Sequence, residues 1–194
     1  MSLNRHSRLM FPLIAVAVIA LALPSLGQIT FRGRYLTGGG GSIDPILTVN
    51  FEILSYSTPE EITALVKAYN EGGESAFHTA FRAMKKGSLR VMSGRGMNID
   101  FHSAREIPSD KGTKIELIAE NTAFSLGSTS MRTPSGMMFL VAILEVDANG
   151  KGEGKVYEDS TCRVLSTGEF VLDEFKRAPK IVTGLTQVKA KVKK

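Results

Sequence analysis

Residues 136–156 read GMMFLVAILEVDANGKGEGKV, and the expected fold follows from them. The run 136–146 is apolar at every other position and also between, so it reads as a central strand covered on both sides. Charge then arrives within DANGKGEG, 147–154. Asp147 is placed to cap a turn through its side chain, and Asn149-Gly150 supplies the positive-φ positions of a hairpin. On the returning strand Gly150, Gly152 and Gly154 share one face, while Lys151, Glu153 and Lys155 share the other. The bare face is therefore expected to lie against a bulky side chain or another backbone.

The same residues spell part of a calcium loop. Counting from Asp147 puts Asn149 at position 3, Gly152 at 6 and Glu158 at 12, which makes Asp147, Asn149 and Glu158 calcium candidates. Lys151 stands at position 5, where an oxygen ligand belongs, and an ammonium there repels a divalent cation. The flanks also read as strands where the motif requires helices. The turn accounts for more of these residues than the ion does, so no metal or other cofactor is expected. Nor is GKGEGK a phosphate loop, because it has one residue too few between its glycines and no Ser or Thr after Lys155.

Outward from the hairpin, the period-2 pattern recurs. In ILTVNFEIL, 46–54, Leu47, Val49, Phe51 and Ile53 alternate with Thr48, Asn50 and Glu52. QITFRGRYL, 28–36, forms a first strand, and TGGGGS, 37–42, is a flexible joint. SLRVMS and MNIDFHSARE flank the turn 93–96, KIELIAEN follows the turn 108–112, and further strands are expected at 155–166, 169–175 and 186–192. The last alternates Val188, Ala190 and Val192 with lysines, as a protected edge strand does.

Between the early strands the period changes. STPEEITALVKAYNEGG, 57–73, has Thr58 as N-cap, Pro59 at the first helical position, Glu61 closing a capping box and Gly72 as a stop. A second helix over 74–86 carries Phe77, Ala80, Phe81 and Met84 on one face. The expected fold is thus α+β, mostly antiparallel β, a sandwich or barrel of about eight to ten strands with a two-helix hairpin at 58–87 packed on it.

The N-terminal residues 1–27 have the three parts of a secretory signal: Arg5 and Arg8, an apolar run over 9–23, and Ser25-Leu26-Gly27 before Gln28. The apolar run is 15 residues, short of the ~18–20 that span a bilayer. No cysteine lies near the cut, which excludes a cysteine-linked lipid anchor. The mature domain is expected to be 28–194, secreted or periplasmic, with no transmembrane span after cleavage. Removing Arg5 and Arg8 from 24 basic residues leaves 22 against 19 acidic ones. Four of the 22 are Lys189, Lys191, Lys193 and Lys194, so the body has no broad basic surface of the kind nucleic acid requires. Cys162 is the single cysteine, which leaves no internal disulfide.

Candidates for chemistry are few. Asp100 and His102 fall on one strand face at i, i+2, about 7 Å apart at Cα, and would need a third group from another strand to make a metal or acid/base site. No nucleophile elbow or H-E-x-x-H is present. The long Ser/Thr-rich segment 125–138 is the expected binding rim, with Ser128, Met131 and Arg132 as candidate ligand-binding residues.

STPEE leading into two short helices, MNIDFHSARE, ILEVDANGKGEGKV and LTQVK together resemble a group of small, uncharacterised secreted bacterial proteins, over 57–189. In those relatives the segment after Phe124 carries aromatics, whereas this chain has Ser, Thr and Met there. The resemblance implies export and a shared fold, and no activity. The expected function is a non-catalytic envelope protein that binds a small lipophilic ligand or an envelope protein partner. The alternative is a metal-dependent or hydrolytic enzyme centred on Asp100 and His102.

Overall fold

A computed structural model describes residues 28–36, 46–92, 97–120, 138–164, 170–175 and 178–188. The expected signal, the glycine joint, the turn 93–96, the rim residues Ser128, Met131 and Arg132 and the lysine tail lie outside the described residues.

The strands are β1 (Ile29–Leu36), β2 (Ile46–Ile53), β3 (Gly87–Val91), β4 (Asn98–Phe101), β5 (Ser103–Ser109), β6 (Gly112–Glu120), β7 (Met138–Val146), β8 (Lys151–Val164), β9 (Phe170–Phe175) and β10 (Lys180–Val188). All pairings are antiparallel, in the order β4-β3-β2-β1-β10-β8-β7-β6-β5, with β9 extending β8. The two ends of that order are neighbours in the chain. Only His102 separates β4, which pairs with β3, from β5, which pairs with β6. The His102 N–H donates to the Ile118 carbonyl at 2.9 Å and the Lys86 N–H to that of Phe101 at 2.8 Å. The sheet thus nearly closes into a barrel, which removes most of the edge an open sheet would expose.

Period-2 alternation sorts side chains between the two faces. Phe31, Tyr35, Phe51, Leu89 and Phe101 point inward with Leu140, Ala142, Leu144 and Val146 of β7, and Phe51 stacks on Phe101 at 6.4 Å. The alternate residues Phe139 and Val141 join Ile118 on the outer face, beneath a helix. The doubly apolar run of β7 therefore has two physical causes, the barrel interior on one side and the helix on the other.

That helix, α1 (Pro59–Ala83), corrects the expected two-helix hairpin: one helix forms, with Gly73 departing from helical geometry at φ 65° and ψ −158°. The stop expected at Gly72 does not form, because its neighbour Gly73, at positive φ, turns the axis without a loop. A straight helix of this length would span about 37 Å, whereas Lys86 Nζ lies 2.6 Å from Glu61 Oε1. The bend brings the two ends of α1 together and lays Leu65, Phe77 and Phe81 on one cluster with Phe139. The N-terminus has the expected capping box: Thr58 Oγ1 accepts from the Glu61 N–H at 3.3 Å, and Glu61 Oε2 from the Thr58 N–H at 2.8 Å.

The hairpin between β7 and β8 forms as a tight turn. Asp147 Oδ1 accepts the N–H groups of Asn149 at 2.8 Å and Lys151 at 2.9 Å, and Gly150 takes φ 71°. The alternating glycines do meet close neighbours. A Cβ on Gly152 would lie 1.8 Å from the Glu145 carbonyl oxygen, and one on Gly154 2.9 Å from Leu144 Cδ2. Backbone cannot yield as a leucine tip can, so Gly152→Ala is expected to cost about 3 kcal/mol and Gly154→Ala about 1 kcal/mol. Urea unfolding of both variants checks the order, and equal losses would contradict it. The final strand also differs from expectation, because β10 begins at Lys180 and pairs on both sides, with β1 and β8. It is an interior member of the sheet, not an edge.

Candidate functional site

At one end of the barrel the apolar interior gives way to three converging polar side chains. Alternation along β1 turns Tyr35 inward beside Val182, and Lys180 opens β10 opposite Val156. Glu158 continues the inward alternation of Val156 along β8, at the start of a bulge. Phe139 pairs with Ser160 and Val141 with Tyr157, so β8 carries one extra residue there, and Glu158 and Asp159 both face Leu140. Glu158 Oε1 accepts from the Tyr35 hydroxyl at 3.0 Å and from Lys180 Nζ at 2.8 Å, and the ammonium sits 5.7 Å from the centre of the Tyr35 ring. Glu158 is 7% exposed and Tyr35 fully buried. Burial, and then the Glu158 carboxylate, pushes the Tyr35 phenol far above its ordinary value, so it stays a neutral donor. The hydroxyl and the ammonium thus meet on one atom, Glu158 Oε1.

The residues singled out from sequence are not gathered here. Asp100 is exposed on the outer face and accepts from Asn98 Nδ2 at 3.1 Å. His102 sits at the bend between β4 and β5, its Nδ1 2.7 Å from the Met84 carbonyl oxygen and its ring 5.2 Å from that of Phe81. Its imidazole holds the C-terminal end of α1 to the barrel, and no hydrogen bond joins it to Asp100. Among the described residues no three His, Cys, Asp or Glu side chains gather as a metal site. Of the calcium candidates, Asp147 and Asn149 are in the turn, whereas Glu158 lies seven residues beyond Lys151 along β8, about 23 Å away in an extended strand. Tyr35 and Lys180 were not singled out. The signal for Tyr35 was a hydroxyl on the apolar face of the first strand; Lys180 had none, because its strand was expected to begin later.

A second charged cluster pins the helix. Glu120, at the end of β6, receives Arg82 Nε at 2.5 Å and lies 2.5 Å from His78 Nδ1. Burial opposes the Glu120 charge, but the hydrogen bond and charge of Arg82, with His78, outweigh it and hold the carboxyl below its ordinary range. For Glu61 burial is likewise outweighed, by Lys86 and the Thr58 N–H. A lowered folded-state value means stability that is fully present above the unfolded value, about 4.3, and is lost as pH falls through the folded one. The melting temperature is therefore expected to fall below about pH 4, and a Glu61→Gln/Glu120→Gln variant, measured by thermal melts from neutral to acid pH, is expected to show a shallower fall.

Among the described residues no helix is long and apolar enough to cross a membrane, a statement that leaves strands aside. Comparison of this chain with family models, curated proteins and solved structures finds no match.

Proposed function

We propose that this protein is an exported, non-catalytic binding protein that takes a small, largely apolar ligand bearing one polar group. The observation that carries the reading is the convergence of Tyr35, Glu158 and Lys180 at one end of a barrel interior whose core cluster is apolar. Barrel mouths with few, placed polar groups are recurrent ligand sites. At this end β1 and β6 stop and β7 and β10 begin. The opposite end carries the short turns at 110–111 and 147–150. Export rests on the signal-like residues 1–27.

Native mass spectrometry of the protein isolated from its own envelope tests both parts. The expected spectrum has a chain beginning at Gln28 and a bound small molecule, whose occupancy falls in Tyr35→Phe while the circular dichroism spectrum is unchanged. A chain recovered from the cytosol with residues 1–27 intact removes export. A ligand-free wild type, both as isolated and after incubation with total envelope lipid, removes the ligand-binding reading.

A further inference from the structure

The outer face of β1–β3 carries a second feature, independent of the barrel interior. Most large apolar side chains are buried, but Leu36, Ile46 and Met92 are exposed at 39%, 60% and 52%. Register places all three at the same corner. Leu36 pairs with Ile46, and the Met92 N–H donates to the Thr48 carbonyl at 2.8 Å, two residues further along β2. Behind this tip the outer face turns basic. Arg34 pairs with Thr48, in the row that Met92 shares, and in the next row from the tip Arg32 and Arg90 both oppose Asn50, with Arg32 Nε donating to Asn50 Oδ1 at 3.1 Å. Rows are about 7 Å apart along the strands, and Arg32 and Arg90 about 10 Å apart across them. All three arginines are exposed, and none forms an ion pair among the described residues. The acidic residues of this face, Glu52 and Asp100, lie one row further from the tip, where Glu52 is held by Ser88 and Asp100 by Asn98.

We propose that this corner docks on an anionic lipid bilayer. An apolar tip backed by guanidinium groups has the polarity order of a leaflet, with acyl boundary first and phosphate head groups behind it. A soluble polyanion would use the arginines and leave the apolar tip in water. Arginine suits phosphate because its planar fork makes paired hydrogen bonds.

The mature full chain is sedimented with vesicles of phosphatidylcholine alone and of phosphatidylcholine with phosphatidylglycerol. Binding is expected to the anionic vesicles and to weaken with salt. Arg32→Gln/Arg34→Gln/Arg90→Gln is expected to weaken it about a hundredfold, at roughly fivefold for each arginine. Leu36→Ser/Ile46→Ser is expected to weaken vesicle binding and to leave binding of soluble polyphosphate unchanged. Circular dichroism confirms that each variant is folded, and these exposed positions make that the expected result. The proposal is overturned if wild type ignores anionic vesicles, if the triple variant binds as wild type does through the terminal lysines, or if the serine pair binds vesicles undiminished.

Discussion

Phe81→Ala is expected to lower the free energy of unfolding by about 3–5 kcal/mol. Phe81 is fully buried and stacks on Phe77 at 5.6 Å, meets Phe139 edge-on at 5.4 Å and touches the His102 ring at 5.2 Å. It therefore joins the second limb of α1, the outer face of β7 and the corner where the barrel closes. Truncation leaves a void that three rigid rings cannot collapse to fill. Urea unfolding measures the loss. Hydrogen exchange adds a prediction about place, because amides of α1 should lose protection before those of β6 and β7. A loss below about 1 kcal/mol, or protection lost first in the strands, would mean that the helix is not held through this ring.

Lys180→Met is expected to cost about 3 kcal/mol, because it removes the ammonium from a buried carboxylate. Lys180 Nζ is 2.8 Å from Glu158 Oε1, and the carboxylate side chain is 8% exposed. The accompanying loss of contact with the Tyr35 ring adds to this. The double variant Glu158→Gln/Lys180→Met is expected to recover more than half of the loss, since the Glu158 carboxylate is then no longer left without the Lys180 ammonium. If the double variant is less stable than the single one, the pair is not the dominant electrostatic contact of the Glu158 carboxylate. Tyr35→Phe on its own is expected to cost about 1 kcal/mol, the worth of one hydrogen bond.

Several elements were legible because their causes are local. The capping box at Thr58 and Glu61 and the turn at Asp147–Gly150 each involve residues within a few positions of one another, so the sequence contains both partners of every bond that makes them. The doubly apolar run of β7 correctly implied cover on both faces. The glycine spacing of 150, 152 and 154 implied close approach, and each does meet a neighbour, though what that neighbour is had to be seen: Gln187, the Glu145 carbonyl, and Leu144.

The candidate site was less legible, and for a definite reason. Asp100 and His102 share a face only if the strand is continuous, and the bend at His102 that lets β4 pair with β3 and β5 with β6 turns the imidazole toward α1. Glu158 stands at a calcium-loop position in the sequence and serves instead inside the barrel, on the inward face of β8 that it shares with Val156. The two-helix hairpin failed on a single residue, Gly73, whose positive φ bends a helix that the pattern had ended.

What the sequence determined by itself was the alternation of the strands, the start of the helix and the chemistry of the turns, all set by residues close together along the chain. Tertiary structure alone decided closure of the sheet, the meeting of Tyr35, Glu158 and Lys180, and the corner that gathers Leu36, Ile46 and Met92. Tyr35 and Glu158 are 123 positions apart. Register between distant strands depends on the packing of the whole interior at once, which no short window of residues contains.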